Sequence, residues 1–522
     1  MHNARLTLDP AFRIGSIDRR LFGSFVEHMG RCVYTGIFEP GHPRADDLGF
    51  RSDVLDLARE LGVTVVRYPG GNFVSNYRWE DGVGPRENRP TRLDLAWRSI
   101  ESNQFGLGEY MSWVRRLGAE PMLAVNLGTR GLTEAVDLLE YCNFPGGTEM
   151  SDRRIKNGDP SPYDVKLWCL GNEMDGPWQM GHQTAYEYGR KAAETARAMR
   201  RLDPSVELVA CGSSNRQMPT FGSWEASVLE QCYDQVDYVS MHAYYQEHDG
   251  DADSFLASAV DMDAFIEEVV ATADHVRAVG RHGRRLRISF DEWNVWYASR
   301  FAGESSLEWA QAPRLIEDEF NVLDAVVVGT FLISLIGHAD RVAIGCQAQL
   351  ANIIAPIRTE LGGPSWRQTI FHPFAAAARL ARGDALRVEP VGPLIETAKY
   401  GPVPVLTAAA SLDAGTGAAA LFAVNRDRVN PLSLTVDLRA LPGASLRSHQ
   451  VLADDDQRAT NNQQNPSRVG PRAAAGRVVD GRLTVTLPPA SWNVLSIATD
   501  ISVGRPADVV PDFSTDFSTD AK

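Results

Sequence analysis

Short runs of apolar and β-branched residues alternate with longer helical patterns from about residue 20 to residue 350. This alternation is typical of repeated strand–helix units on a parallel sheet, and several runs are apolar throughout, as strands buried on both faces must be. The eight predicted strands span residues 21–28, 63–70, 120–128, 164–173, 206–214, 236–245, 286–295 and 341–350. We therefore predict an α/β fold with a closed (β/α)8 TIM barrel; an open doubly wound sheet is the alternative.

The pattern of apolar and turn-forming residues changes after about residue 385. Short alternating segments such as LSLTVDLRAL and RLTVTLPPASWNVLSIA are separated by Pro and Gly, which predicts a C-terminal β-sandwich with a jelly-roll-like arrangement. We predict four parts: residues 1–18 are strands that pair with the sandwich, 19–384 form the barrel, 385–502 form the sandwich, and 503–522 are a flexible tail.

The composition limits the kinds of partner that this protein can bind. Lys and Arg number 52 against 67 Asp and Glu, a net charge of -15 without a basic patch, so we expect no nucleic-acid partner. No run of about 18 apolar residues indicates a membrane span. The N-terminal sequence also lacks the apolar stretch of a signal peptide, so a cytoplasmic location is expected.

Polar side chains stand at seven of the eight predicted strand ends. In a barrel these ends converge on one mouth, where reactive groups belong. They are Glu27, Asn72, Asn126, Asn172 with Glu173, His242 with Tyr244, Glu292, and Gln349. Single polar ends are common where strands meet water, but seven on one mouth indicate a site.

Glu173 and Glu292 are the strongest candidates for a catalytic pair, because each follows an apolar run on a different strand. Glycoside cleavage needs two carboxyl groups, one that protonates the departing oxygen and one that attacks the anomeric carbon or activates water. Separations of about 5 to 5.5 Å are typical of retention, and roughly 6.5 to 9.5 Å of inversion. A gap above about 7 Å would contradict the retaining assignment.

Six stretches resemble the α-L-arabinofuranosidases of glycoside hydrolase family 51, in clan A. They are LFGSFVEHMGRCVYTGIFEPGHP from Leu21, VVRYPGGNFVSNYRWEDGVGP from Val65, LWCLGNEMDGPWQMGH from Leu167, VSMHAYY from Val239, ISFDEWNVWY from Ile288 and CQAQLANIIAPI from Cys346. They cover the whole barrel in the family's order, whereas GNE alone would indicate only the clan.

The resemblance implies a role for each matching residue. Glu173 matches the general acid/base and Glu292 the nucleophile, while Arg67 and Tyr244 match residues that support the nucleophile. The implied substrate-binding residues are Glu27, Asn72, Asn172, His242, Tyr244 and Gln349, with Trp178 and Trp296 as aromatic walls. The implied activity is a retaining, exo-acting α-L-arabinofuranosidase on arabinan- or arabinoxylan-derived oligosaccharides.

Two other functions stay open from the sequence. One is an endo-acting glucanase or xylanase on the same clan barrel, and the other is a non-catalytic carbohydrate-binding protein. No HExxH, GxxxxGK[ST], GxSxG or helix-opening GxGxxG motif occurs, so we predict no metal and no cofactor. Family analogy alone implies a homo-oligomer, commonly a hexamer.

Overall fold

A closed barrel of eight parallel strands forms the first part of the computed structural model, which describes residues 1–501. Consecutive strands are neighbours, and the eighth pairs with the first. The strands are Gly23–Phe25, Val65–Tyr68, Glu120–Ala124, Leu167–Leu170, Glu207–Ala210, Tyr238–Tyr245, Arg287–Val295 and Val342–Gln347. The predicted barrel is confirmed and the open sheet is wrong. The predicted tail, residues 503–522, lies outside the described residues.

Helices connect the barrel strands and cover their outer faces. The α-helices are Ser52–Leu61, Leu107–Leu117, Leu132–Asn143, Glu149–Lys156, Ala185–Leu202, Ser223–Cys232, Ala252–Leu256, Ala259–Gly280, Val322–Gly337 and Phe371–Leu380. Helix Val322–Gly337 is buried from Val322 to Ile336, which explains its long apolar sequence. No helix in residues 1–501 combines the length and apolar character that crossing a membrane requires.

Two β-sheets packed face to face form the C-terminal part. A seven-stranded sheet contains, in spatial order, Arg13–Ser16, Asp384–Leu386, Leu406–Asp413, Ala418–Asn425, Ser491–Ala498, Ser445–Leu452 and Arg472–Ala473. A four-stranded sheet contains His2–Thr7, Leu432–Asp437, Arg482–Leu487 and Gly476–Val479. The two N-terminal strands thus belong to different sheets, and His2–Thr7 runs parallel to Leu432–Asp437. The division of the chain after residues 18, 384 and 502 stays a prediction.

The central strands of the seven-stranded sheet, Ala418–Asn425 and Ser491–Ala498, are buried on both faces. Successive side chains of a strand point to opposite sides. Along Ala418–Asn425, Leu421 packs into the sandwich interior, whereas Phe422 packs with the barrel's core. Trp492, on the neighbouring strand, stacks on Phe422 with ring centroids 5.8 Å apart. The sandwich is therefore joined to the barrel by a continuous apolar core.

Replacing Trp492 with Ala should lower the free energy of unfolding by about 3 to 5 kcal/mol. The indole is 2% exposed and lies so close to Gly329 of helix Val322–Gly337 that a Cβ there would be 2.4 Å from the ring. Urea unfolding followed by circular dichroism measures the loss. Val429→Ala, at a side chain that is 79% exposed, is the control, and an equal shift in both variants would contradict this packing role.

Candidate active site

A cavity of about 1090 Å³ opens at the carboxyl ends of the barrel strands. It is larger than most small-molecule sites, which hold roughly 300 to 1000 Å³. Eight of the predicted site residues line it: Glu27, Asn72, Glu173, Trp178, Tyr244, Glu292, Trp296 and Gln349. Of the other three, Arg67 and His242 hydrogen-bond to the carboxylates of Glu292 and Glu173, and Asn172 accepts a hydrogen bond from Arg67. The structure therefore brings all eleven residues together.

Glu173 and Glu292 face each other at this mouth. One carboxylate oxygen of each lies within 4.8 Å of the other, with a nitrogen of His242 inside the same limit. Glu173 lies beyond the fourth strand, after a turn at Gly171, whose φ of 92° favours glycine. Glu173 itself has a φ of 45°, an uncommon conformation for a residue with a side chain. The tight turn aims its carboxylate across the mouth.

A β-bulge in the seventh strand sets the position of Glu292. Two steps along the sixth strand, from Ser240 to His242, match three steps along the seventh, from Ser289 to Glu292. The same extra residue appears against the eighth strand. Bulges redirect side chains and are common beside active sites. Because of it, the consecutive residues Asp291 and Glu292 both approach His242.

His242 lies between the two glutamates. Its Nδ1 is 2.8 Å from Glu173 Oε1 and 3.6 Å from Glu292 Oε2, and its Nε2 is 3.0 Å from Asp291 Oδ1. Burial alone would lower the pKa of His242, but the surrounding Glu292, Asp291 and Glu173 raise it to about 10. The imidazolium donates to both sides and holds three carboxylates in a fixed arrangement.

The carboxylate of Glu292 is held on both oxygens. Arg67 Nη1 donates to Oε1 at 2.6 Å, and the Tyr244 hydroxyl donates to Oε2 at 2.8 Å. Burial raises the pKa of Glu292 above its ordinary value, while His242 and then Arg67 oppose this rise. These neighbours favour the charged form, which is the form that can act as a nucleophile.

Glu27 and Gln349 form one side of the pocket, with Asn72 nearby on its wall. Gln349 Nε2 donates to Glu27 Oε2 at 3.1 Å, and Glu27 Oε1 accepts from Phe73 N at 3.0 Å and from Trp97 Nε1 at 2.8 Å. Burial, then repulsion from Glu292, raises the pKa of Glu27 to about 8. This side offers several fixed polar groups.

Four buried polar atoms of the predicted site have no hydrogen-bond partner in the described part of the chain. One of them, Arg67 Nε, faces Asp291 Oδ2 at 3.7 Å. The other three are Asn172 Nδ2, Gln349 Oε1 and Trp296 Nε1. The other end of the Asn172 amide, Oδ1, accepts from Arg67 Nη2 at 2.6 Å, which fixes its orientation. Buried polar groups are nearly always paired in proteins, so these three atoms indicate donors and acceptors reserved for a hydroxylated ligand.

Two tryptophans border the carboxylates. Trp178 Nε1 donates to Glu173 Oε2 at 2.7 Å, although the side chain is 49% exposed. Trp296 packs edge to face against Tyr244, with ring centroids 5.3 Å apart. Aromatic walls of this kind suit the apolar face of a sugar ring.

Asn126, at the end of the third strand, is the exception among the polar strand ends. Its Oδ1 accepts from Gly128 N and Thr129 N, and its Nδ2 donates to Tyr77 O. The side chain therefore closes a turn and does not line the cavity. The expectation that Asn126 points into the mouth was wrong. An amide at the end of a strand can instead form hydrogen bonds with the backbone of the loop that follows it.

Glu173, His242 and Glu292 also have the spacing of a possible metal-binding group. A metal ligand needs a free lone pair on the imidazole, yet both nitrogens of His242 are occupied by carboxylates and its pKa is raised to about 10. Arg67 adds a second positive charge at 2.6 Å from Glu292. These cations disfavour a divalent ion here.

Sequence reasoning missed Asp291 and Trp97. Asp291 is fully buried, and Arg67, opposing the effect of burial, lowers its pKa, so it holds His242 as a charged partner. A charge inside the apolar run ISFDEWNV was the available signal. Trp97 lies in the long connection after the second strand, where nothing in the local sequence indicates contact with Glu27.

Two family models match this chain. The model of the alpha-L-arabinofuranosidase 1 domain matches residues 57–261, and that of the alpha-L-arabinofuranosidase C-terminal domain matches residues 291–491. An intracellular exo-alpha-(1->5)-L-arabinofuranosidase from Streptomyces lividans is 58% identical over 510 residues, covering 97% of this chain and 77% of that protein. An exo-alpha-(1->6)-L-arabinofuranosidase from Bifidobacterium longum is 50% identical and covers 95% of this chain and 98% of its own length.

Solved structures agree with this match. A family 51 alpha-L-arabinofuranosidase from Bifidobacterium longum superimposes with a TM-score of 0.92 at 47% identity, covering 95% of this chain and 99% of that one. An arabinose complex of the alpha-L-arabinofuranosidase from Thermotoga maritima gives a TM-score of 0.85 at 32% identity, covering 95% and 100%. With relatives this similar along nearly the whole length, the chain belongs to the α-L-arabinofuranosidases of glycoside hydrolase family 51.

Proposed function

We propose that this enzyme removes terminal non-reducing α-L-arabinofuranosyl groups by double displacement, with Glu292 as nucleophile and Glu173 as general acid/base. The observation that carries the proposal is the separation of at most 4.8 Å between one carboxylate oxygen of each residue. Inverting enzymes keep roughly 6.5 to 9.5 Å between their carboxyl groups to admit a water, so the short gap favours direct attack.

In the first step a carboxylate oxygen of Glu292 forms a bond to the anomeric carbon as the bond to the leaving oxygen breaks. The carboxyl group of Glu173 transfers its proton to that oxygen, so the leaving group departs as an alcohol. Arg67 and Tyr244 hold Glu292 in position for attack. The product is a covalent arabinosyl-enzyme with inverted configuration.

In the second step Glu173, now a carboxylate, takes a proton from a water molecule that attacks the anomeric carbon. The bond to Glu292 breaks and the configuration inverts again, which gives net retention. His242 Nδ1 lies 2.8 Å from Glu173 Oε1. In this proposal the contact keeps the carboxyl group of Glu173 directed at the bond being broken. Asn172 Nδ2 is buried and has no hydrogen-bond partner within residues 1–501. In this proposal it donates to a hydroxyl of the sugar ring, a contact that strengthens as charge develops.

The substrates we propose are arabinan- and arabinoxylan-derived oligosaccharides inside the cell. Supporting this, the Streptomyces lividans relative carries the words intracellular and exo-alpha-(1->5) in its name. The Bifidobacterium longum relative, 50% identical, carries exo-alpha-(1->6) in its name, so the relatives differ in the linkage that their names give. A homo-oligomer, six subunits by analogy, stays a prediction.

Proton NMR during hydrolysis of a 4-nitrophenyl α-L-arabinofuranoside tests the mechanism. We expect the α-anomer of free arabinose to appear first, before mutarotation, because two inversions give retention. First appearance of the β-anomer would contradict the assignment of Glu292. Sizing the products of a linear arabino-oligosaccharide tests the exo mode, since arabinose should be the only new sugar at early times. Internal fragments would favour an endo enzyme, and binding without turnover would favour a carbohydrate-binding protein.

A further inference from the structure

A hairpin of the C-terminal part reaches the cavity of the barrel. Strands Leu394–Thr397 and Gly401–Pro404 pair antiparallel, and the three turn residues between them, 398–400, line the same cavity as Glu173 and Glu292. Of these, Lys399 is exposed and Tyr400 is half-buried. This hairpin, a two-stranded sheet of its own in the C-terminal part, therefore contributes directly to the wall of the active-site cavity.

The hairpin tip is held firmly against the barrel. Lys399 N donates to Ser254 Oγ at 3.0 Å, which joins the turn to helix Ala252–Leu256 on the cavity wall. The buried Arg426 donates from Nε to Leu256 O at 3.2 Å and from Nη1 to Pro404 O at 2.9 Å. One guanidinium thus connects the end of that helix to the end of the hairpin. These contacts hold the turn residues at the cavity wall before a sugar binds.

The wall is continuous from the catalytic carboxylates to this turn. Tyr244 holds Glu292, and the next residue, Tyr245, donates its hydroxyl to Asp261 Oδ2 at 3.1 Å. Asp261, Ser258 and Tyr400 all line the cavity beyond that point. A cavity of about 1090 Å³ has room for more than the one furanose that is cleaved.

The chemistry of the turn suits a neutral sugar. The Lys399 ammonium lies over the Tyr400 ring, 5.0 Å from its centroid, so one face of the ring lies against a group with three N–H donors. Asp249, Asp251, Asp261 and Glu304 also line the cavity, whereas Lys399 is the sole Lys or Arg among the described residues that do so. This acidic wall repels the carboxylate of a uronic acid and accepts hydrogen bonds from uncharged hydroxyl groups.

We propose that residues 398–400 form a distal subsite for neutral oligosaccharides, which binds a sugar on the leaving-group side of the scissile bond. The proposal rests on the proposed function, because it assumes that the cleaved sugar lies between Glu173 and Glu292. Tyr400 supplies a stacking surface with the face of its ring that is turned away from Lys399, and Lys399 supplies donors to hydroxyl oxygens. The hairpin then selects for chain length while the barrel carries out the cleavage.

The test is kcat/KM for Tyr400→Ala on a 4-nitrophenyl α-L-arabinofuranoside and on linear arabino-oligosaccharides of two to five sugars. We expect no change on the aryl glycoside and a loss of about tenfold on the longest oligosaccharides, the value of one aromatic contact. Tyr400→Phe keeps the ring and should resemble the wild type. Glu396→Ala, at an exposed position of the same hairpin, is the matched control.

An equal loss on every substrate, or no loss on the longest, would overturn the distal subsite. A wild-type enzyme that fails on the aryl arabinofuranoside would instead contradict the proposed function. If Tyr400→Ala is poorly folded, Lys399→Ala gives the second measurement, since its exposed side chain packs little. We expect from it a smaller loss, again confined to the longer oligosaccharides.

Discussion

Glu292→Ala should lower kcat/KM on a 4-nitrophenyl α-L-arabinofuranoside by at least about 10⁴-fold, because it removes the nucleophile of the first step. The methyl side chain leaves space beside Arg67 and Tyr244, which hold the native carboxylate at 2.6 and 2.8 Å. Azide is a small anion that fits such a space and can attack the anomeric carbon itself. We expect added azide to restore turnover and to give the β-configured arabinosyl azide.

The configuration of the azide product decides this prediction. A single displacement gives inversion, so an α-configured azide would show that another group had already attacked. No rescue at all, in a variant that folds, would remove Glu292 from the role of nucleophile. Glu308→Ala changes an exposed glutamate elsewhere and should keep the wild-type rate.

Glu173→Ala should lower kcat/KM in proportion to how much the leaving group needs a proton. On an arabinosyl disaccharide we expect a loss of about 10² to 10⁴-fold, the usual contribution of a general acid. On a 2,4-dinitrophenyl arabinofuranoside, whose leaving group departs without protonation, the loss should stay below about tenfold. A burst of dinitrophenol should precede slow turnover, because the water of the second step has lost its base.

Azide again separates the roles, since here it attacks the arabinosyl-enzyme and gives the α-configured azide. A loss of equal size on both substrates would contradict the role of Glu173 as acid. Trp178→Phe is a useful comparison. It removes the N–H that donates a hydrogen bond to Glu173 at 2.7 Å, and it keeps an aromatic wall. We expect Trp178→Phe to lower kcat/KM on both substrates by a similar factor.

The barrel could be predicted because its strands are buried on both faces. A run such as VVRY or LWCL carries that burial in its composition, and all eight predicted runs contain an observed barrel strand. The exact ends could not be predicted. The first strand covers only Gly23–Phe25, so Glu27 lies beyond it, in the segment that follows the strand.

The geometry between the site residues needed the structure. The sequence places Asp291 and Glu292 on opposite faces of an ideal strand, and the β-bulge that brings both to His242 follows from pairing with two neighbouring strands. The approach of Tyr400 to the cavity depends on how the sandwich docks, which no local pattern records. Long-range packing of this kind lies outside what periodicity and propensity can report.

The parallel pairing of His2–Thr7 with Leu432–Asp437 also has a consequence for biosynthesis. His2 and its hydrogen-bond partner Asp427 are 425 residues apart, so at roughly 5 to 20 residues per second the ribosome needs about 20 to 85 s to supply the partner of the first strand. The whole barrel sequence emerges in that interval. During translation the nascent chain carries one unpaired strand edge, the kind of surface that chaperones protect and that incomplete chains expose permanently.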